Sequence, residues 1–438
     1  MCDPPRVSSF TRADERACPS LFSSLPFFSR TFRRNERYAV LFGFRFPRLR
    51  LIIVGLALLA QVYLFIRIRR AILSSNRSER FKTHAIRLVG AAIIFLFALN
   101  AYLLFIQLPW VDPPIAAQVG LFYPVAIWNF GSLFSALFLL VMRIGGGLGR
   151  VVVWLTRRQA NRGAPTPVDL GRRRLLQAGV GGIAAAPVLF SGYGAAYASK
   201  TYSVEKFALP FGRQLRVVQL TDIHAGIYMT RDDMRRYVNQ VMMLEPELFV
   251  LTGDFISNSM AFLPGCVEEM ARVRARYGTF ATLGNHEHLW GNAREVEATF
   301  QRRGIPVLTN AHTVIQTVRG PFAIAGIDDI QWGRPDLEAA LRGLDPAIPT
   351  LLLSHRPEIF PDAAAHGIPL TLSGHYHGGQ VKLSLPGGDF SMAHIRTPYP
   401  EGLYRINASH LYVSRGIGTT FTPVRLNAPP EVTVFELT

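Results

Sequence analysis

The chain has 438 residues, enough for more than one structural unit, and its 47 Lys and Arg against 30 Asp and Glu give a formal net charge of +17. That charge is confined to one half: residues 1–203 carry 26 basic and 7 acidic side chains, residues 204–438 carry 21 and 23. The second half is therefore no nucleic-acid footprint, and the three cysteines, Cys2, Cys18 and Cys266, make neither a disulfide framework nor a close-spaced metal site.

Residues 1–48 form a basic N-terminal segment. Apolar runs follow at Leu49–Ile66, Leu88–Trp110 and Ile115–Met142, so residues 49–142 predict three transmembrane helices. Each run is long enough for a hydrocarbon core of about 30 Å, which takes about 20 helical residues. Arginine clusters bound the runs, where they meet anionic lipid headgroups, and Trp110 and Trp128 read as interface anchors. The runs lack charged or paired polar side chains at mid-span, which predicts an anchor rather than a transport path. A basic loop, 143–174, leads to a fourth run at 175–198, rich in Ala and Gly. This is either a last membrane helix or a twin-arginine-like signal segment, because Arg172-Arg173-Arg174-Leu175-Leu176 precedes it and Ala196-Tyr197-Ala198 resembles a cleavage site. Placing the loops 67–87 and 143–174 in the cytoplasm puts 15 basic residues inside, against 10 for the reverse topology. The preferred arrangement exports everything from residue 204 onward, though it leaves the basic N-terminus outside.

From Leu215 the chain repeats a short apolar run, a polar word, and then a helical or loop stretch. Strands are predicted at Leu215–Leu220, Leu248–Leu251, Thr279–Leu283, Phe322–Ile327, Thr350–Leu353 and Leu370–Leu372, and again at Tyr404–Ile406, His410–Ser414 and Glu431–Leu437. Helical periodicity marks Asp232–Met243 and Val267–Tyr277, and the lone Cys266 reads as a core residue. Near-continuous apolar strands are buried on both faces, so residues 204–438 predict an α/β domain of central sheets covered by helices. Polar words then fall at the carboxyl ends of strands, where loops converge.

Five words carry most of the metal-capable side chains: Asp222-Ile223-His224, Gly253-Asp254, Gly284-Asn285-His286-Glu287, Ser354-His355 and Gly374-His375-Tyr376-His377. A lone Asp after a strand is ordinarily a turn or cap residue, and a lone buried His is ordinarily hydrogen-bonded. Five such words ending in His-x-His select a two-metal centre instead. Phosphoester hydrolysis needs an activated water and a clamp for phosphoryl charge, which two bridged cations supply. Among these groups only a carboxylate can offer separate oxygens to two cations, and Asp254 is the expected bridge. Asp222 and His224, at i and i+2 on an extended backbone, would join His377 on the first metal. Asn285, His355 and His375 would hold the second. This mixed nitrogen and oxygen set suits two divalent ions of Mn, Fe or Zn rather than an all-oxygen Mg or Ca cage. His286, beside a ligand candidate, would stabilise the phosphoryl group or protonate the leaving oxygen. Glu287 and His288 read as orienting or surface groups, Asp328 and Asp329 as structural, and Arg356 as either a phosphate clamp or a structural ion-pair partner.

With these D-x-H, GD, GNHE, H and GHxH words, residues 214–438 resemble the calcineurin-like metallophosphoesterase superfamily. Ser373-Gly374-His375-Tyr376-His377-Gly378-Gly379-Gln380 further resembles a bacterial membrane-associated branch that includes UDP-2,3-diacylglucosamine pyrophosphatase-type and twin-arginine-leader enzymes. The resemblance implies a four-layered α/β sandwich of two mixed sheets flanked by helices, here preceded by an all-helical transmembrane region. It implies the metal set Asp222, His224, Asp254, Asn285, His355, His375 and His377, with His286 as the catalytic histidine. The expected protein is a phosphodiesterase or pyrophosphatase of the bacterial inner membrane, its catalytic domain on the periplasmic side. Hydroxide held by both metals would attack phosphorus in line. The expected substrate is a lipid-linked or nucleotide-sugar phosphoester, with UDP-2,3-diacylglucosamine a candidate whose cytoplasmic use conflicts with that topology. A phosphomonoesterase is the alternative within enzymes, and a non-catalytic binding or signalling membrane protein the alternative outside them.

Overall fold

A computed structural model describes residues 16–17, 45–105, 112–157, 182, 185–195, 200–420 and 422–438. Most of the segment 1–48, the 171–177 arginine-leucine motif, Ala196-Tyr197-Ala198, Trp110, Cys2 and Cys18 lie outside the described residues. The chain divides into two compact units, one of Ser24–Pro109 with Val119–Tyr193, the other of Met1–Ser23, Trp110–Gln118 and Gly194–Thr438.

The first unit is helical. Arg45–Leu73, Glu79–Phe105 and Tyr123–Arg157 form long helices, the first extending beyond its apolar run at both ends and the other two overlapping theirs with shifted bounds. Among the described residues, Glu79–Tyr102 and Ile115–Arg150 are long and apolar enough to cross a membrane. Ala60 and Leu64 pack against Ala136 and Leu139, while Leu59, Ile94 and Phe95 face outward. One expectation is corrected here. Buried Gln61 donates through Nε2 to Asn129 Oδ1 at 3.3 Å, so the helices do carry a paired polar contact at mid-span. Sequence spacing could not place residues 68 positions apart on facing helices.

The second unit contains the strands β1 (Arg16–Ala17), β2 (Ser203–Leu209), β3 (Leu215–Leu220), β4 (Leu248–Thr252), β5 (Thr279–Thr282), β6 (Ala311–Thr317), β7 (Gly320–Gly326), β8 (Thr350–Leu353), β9 (Leu370–Ser373), β10 (Leu383–Leu385), β11 (Gly388–Phe390), β12 (Gly402–Ile406), β13 (Ser409–Val413) and β14 (Glu431–Leu437). They build a five-stranded sheet in the order β2-β14-β3-β4-β5 and a seven-stranded sheet in the order β1-β12-β13-β9-β8-β7-β6, with β10 and β11 as a separate hairpin. Both sheets are mixed: β3, β4 and β5 run parallel with β14 antiparallel to β3, and β7, β8, β9 and β13 run parallel between antiparallel neighbours.

The two-residue side-chain period of a strand explains the layering. Leu215 and Val217 of β3 point into a core shared with Phe322, Ile324, Leu351 and Leu353 of the other sheet. Val218 and Leu220 point the opposite way, onto Tyr237, Val238 and Val241 of the Arg231–Met243 helix and Cys266 of the Leu263–Met270 helix. On the far side Ala325 and Leu352 pack under Leu337, Ala340 and Ala363. The result is an α/β sandwich of two facing sheets flanked by helices, as expected, with Cys266 fully buried in its core. The predicted helix at Val267–Tyr277 is displaced, because it occupies Leu263–Met270 and has ended by Ala271. The Tyr277 N–H is bonded to the Glu247 carbonyl at 2.7 Å, which draws that segment toward the sheet before β5.

Candidate metal centre

The words at the ends of β3, β4, β5, β8 and β9 converge where the carboxyl edges of both sheets meet. Their backbone is not extended. Asp222, His224, Asp254, His375 and His377 all take left-handed conformations, with φ of 51°, 49°, 54°, 76° and 53°. Asp222 and His224 therefore do not reach one side along an extended i, i+2 backbone, as expected from the sequence, but through two left-handed residues. Left-handed residues cost about 1 kcal/mol or more each and persist only where surroundings over-determine them. Those surroundings are visible: Asp222 N–H donates to Gly253 O at 3.1 Å and His224 N–H to Asp254 O at 2.9 Å, zipping the first two loops together. Gly253, with φ of 86°, leaves no room for a Cβ against Gly284 and the His355 ring. His375 N–H donates to the Asp222 carboxylate at 3.0 Å, and His286 N–H to Asp254 Oδ1 at 2.9 Å.

Three sets of buried or half-buried side chains bring candidate ligand atoms within 4.8 Å of one another: Asp222, His224 and His377; His224, Asp254 and His286; and Asp254, His355 and His375. His224 Nε2 lies 3.1 Å from His377 Nε2, which lies 3.3 Å from Asp222 Oδ1. Asp254 Oδ2 is 3.6 Å from His224 Nε2 and 3.3 Å from His355 Nε2, so one carboxylate belongs to both halves of the cluster. His375 Nδ1 stands 3.2 Å from His355 Nε2. Asn285 is buried next to this second half, its Oδ1 accepting from Arg356 Nη2 at 3.3 Å. His286 is oriented by its Nδ1 donating to the Ser257 carbonyl at 2.5 Å, leaving Nε2 directed at Asp254 Oδ2, 3.9 Å away.

The electrostatics suit cation binding. Burial pushes His224 down to about 3, with the His286 charge adding to it, and pushes His375 and His377 well below the ordinary imidazole range. Neutral imidazole is the form that binds metal. Asp254 is held well below the usual carboxylate range, because the His355 and His286 charges outweigh its burial. Burial would push His355 down as well, but the Asp254 carboxylate lifts it to about 10. That proton would leave on metal binding. The donor set thus fits two divalent ions: it combines carboxylate oxygens with imidazole nitrogens, and the clusters share Asp254.

The remaining candidates sort by contact. Glu287 is no surface group. It is fully buried, and its two oxygens accept from the N–H groups of Asp254, Phe255, Ile256 and Gly284 at 3.0, 2.8, 3.3 and 2.8 Å. His288 pairs with Asp328 at 2.7 Å, outside the cluster. Asp328 and Asp329 hold the backbone of residues 331–334, and Asp329 Oδ2 also accepts from Arg356 Nε at 2.9 Å, in keeping with structural roles. Arg356 combines that ion pair with a 2.6 Å contact from Nη1 to His375 Nε2. Two residues were missed by sequence reasoning. Thr420 Oγ1 lies 3.2 Å from His224 Nε2 and 3.0 Å from His377 Nε2. Arg425 is wholly buried, with Nη2 3.2 Å from His377 Nδ1 and further bonds to the carbonyls of Arg415, Gly416, Gly418 and Ala428. The available signal was Gly416-Ile417-Gly418, a small-residue word just beyond β13 like those beyond the other strands.

Residues 215–379 match the model of the calcineurin-like phosphoesterase family. The chain is 30% identical over 281 residues to the metallophosphoesterase YkuE of Bacillus subtilis, covering 61% of this chain and 98% of that one. It belongs to the calcineurin-like metallophosphoesterases. This phosphoesterase is also 32% identical over 241 residues to a bovine transmembrane protein with a metallophosphoesterase domain, covering 51% of this chain and 53% of the bovine protein. Among solved structures, a phosphopantetheinyl hydrolase from Mycobacterium tuberculosis aligns with a TM-score of 0.29 and 12% identity, over 46% of this chain and 89% of that one. Family membership and the clustered His and Asp ligands together make this chain a metal-dependent phosphoesterase with a binuclear divalent centre.

Proposed function

We propose that the phosphoesterase is a membrane-anchored phosphodiesterase or pyrophosphatase. Asp222, His224 and His377 hold the first metal, Asn285, His355 and His375 the second, and Asp254 bridges them. The observation that carries this reading is the position of Asp254 Oδ2, within 3.6 Å of His224 Nε2 and 3.3 Å of His355 Nε2. When bound, the ions supply an activated water and offset charge on the phosphoryl oxygens.

The chain's own residues do the rest. Glu287 fixes the Asp254 loop through its backbone N–H groups. Thr252 O accepts from His355 Nδ1 at 2.8 Å, leaving His355 Nε2 for the cluster. His286, held through Nδ1, presents Nε2 toward the reacting phosphoryl group, where it stabilises developing charge or gives its proton to the leaving oxygen. His375 would offer Nδ1 to the second ion and carry its ring proton on Nε2, in which case Arg356 would lose its acceptor there and keep Asp329.

The membrane-length helices support a tethered enzyme; the proposed substrate is a lipid-linked or nucleotide-sugar phosphoester, and the basic loops 67–87 and 143–174 favour export of the catalytic unit to the periplasmic side. Full-length protein supplied with manganese is assayed on bis-p-nitrophenyl phosphate, p-nitrophenyl phosphate and UDP-2,3-diacylglucosamine. Turnover of the diester or the diphosphate is expected; hydrolysis of the monoester alone makes the protein a phosphomonoesterase. Reporter fusions after residues 112, 165 and 210 test the exported topology. A cytoplasm-only reporter active at 210 overturns that topology and favours the cytoplasmic diphosphate substrate.

A further inference from the structure

We infer that Thr420 supplies a hydroxyl oxygen directly to the first metal, as a donor beyond the Asp, His and His set; this rests on the assignment of Asp222, His224 and His377 to that metal. Donors about 2.0–2.2 Å from one cation stand about 3.0 Å apart at right angles and about 3.4 Å apart at tetrahedral angles. Two of the three edges are of that length, 3.1 Å between His224 Nε2 and His377 Nε2 and 3.3 Å between His377 Nε2 and Asp222 Oδ1, while His224 Nε2 and Asp222 Oδ1 stand wider apart at 3.8 Å. Thr420 Oγ1 completes a triangle with the two imidazole nitrogens, 3.2 Å from His224 Nε2 and 3.0 Å from His377 Nε2.

Without an ion the hydroxyl can donate to one of these imidazole nitrogens and accept from the other, which accounts for its place between them. Once a cation takes both of those lone pairs, neither ring offers Thr420 an acceptor, and the hydroxyl oxygen is left facing the ion. Its position is also prepared. Gln380 Oε1 accepts from Thr420 N–H at 2.8 Å, and Gln380 Nε2 donates to the carbonyls of Thr420 and Thr422 at 3.2 and 3.0 Å. Gln380 follows His377 by three residues on the same short turn, with φ of 60°. One bracket therefore carries both a proposed ligand and the hydroxyl.

The test uses full-length protein in detergent, stripped with chelator and titrated with Mn²⁺ by calorimetry and with Co²⁺ by visible absorption. Thr420→Val, which keeps the shape and removes the oxygen, is expected to weaken one of the two sites about tenfold or more and leave the other unchanged. Its cobalt band should intensify as the first ion loses a ligand, whereas Thr420→Ser should behave as wild type. Gln380→Leu, which frees the Thr420 backbone without touching the hydroxyl, should weaken the same site and serves if the valine variant does not fold. Two ions bound with wild-type affinity and an unchanged cobalt spectrum in Thr420→Val overturn the inference. Asp222→Asn separates the two claims: if it too leaves metal binding intact, the first-metal assignment itself has failed.

Discussion

Replacing Glu287 with glutamine tests whether the metal loops are held by one buried carboxylate. In the native protein Oε1 accepts from Phe255 and Ile256 and Oε2 from Asp254 and Gly284. A glutamine can serve only one of these pairs, and its NH₂ then faces two N–H donors whichever way the amide is turned. Each lost charge-assisted bond costs about 1.5–3 kcal/mol, so two cost about 3–6 kcal/mol. Part of this is returned, because burial and the Asp254 charge push the Glu287 carboxyl up and neutralisation relieves that penalty. A net loss of about 2–4 kcal/mol lowers the melting temperature of a unit this size by roughly 5–15 °C. Calorimetry on chelator-treated Glu287→Gln protein reads the effect without the stabilisation that bound metal adds. Metal content after reconstitution should fall as well, since the left-handed Asp254 loses its backbone anchor. A variant that melts with wild type and retains two manganese ions would refute the reasoning.

Other outcomes follow from the same geometry. Asp254→Asn should abolish both turnover and stoichiometric metal loading, checked by elemental analysis beside activity. His286→Asn should cut turnover by about 10²–10⁴ while both metals remain bound, and loss of metal in this variant would contradict its assignment as a non-ligand. Glu269, bonded by Arg231, Arg235 and Arg272 at 2.9, 3.0 and 2.6 Å, is held at about 2 because those arginines outweigh its burial. Its stabilisation is full above its unfolded value of about 4.5 and lost as pH falls toward about 2. Glu269→Gln should therefore cost about 1–2 kcal/mol near neutral pH and flatten that acid limb in denaturant titrations, the arginines' partial exposure limiting the effect. Gly374→Ala should release metal, because a Cβ there would strike the Asp222 carboxylate and Thr221.

Much of the site was legible because strand ends are announced by apolar runs. β3 and β8 fall at the predicted residues, and each metal-capable word follows its strand directly. The helical stretch after Val267 was misplaced, because an amphipathic period cannot sense that Tyr277 is already bonded to Glu247. Glu287 reads as either an orienting or a surface acid in a polar word, and only the folded chain, by bringing four N–H groups to it, decides for the first. Thr420 and Arg425 carry no local metal pattern at all, since they reach His377 from 43 and 48 residues away.

The amino-acid sequence by itself determined the division into an apolar helical half and an acid-balanced α/β half, the order of the five words and the donor chemistry they offer. These are local properties, set by periodicity and residue type. The tertiary structure decided that Asp222, His224, Asp254, His375 and His377 adopt left-handed backbones, that Asp254 faces both halves of the cluster, and that Thr420 stands beside the first. Each depends on loops from two facing sheets closing on one point. The angles there are stabilised by hydrogen bonds between segments far apart in the chain.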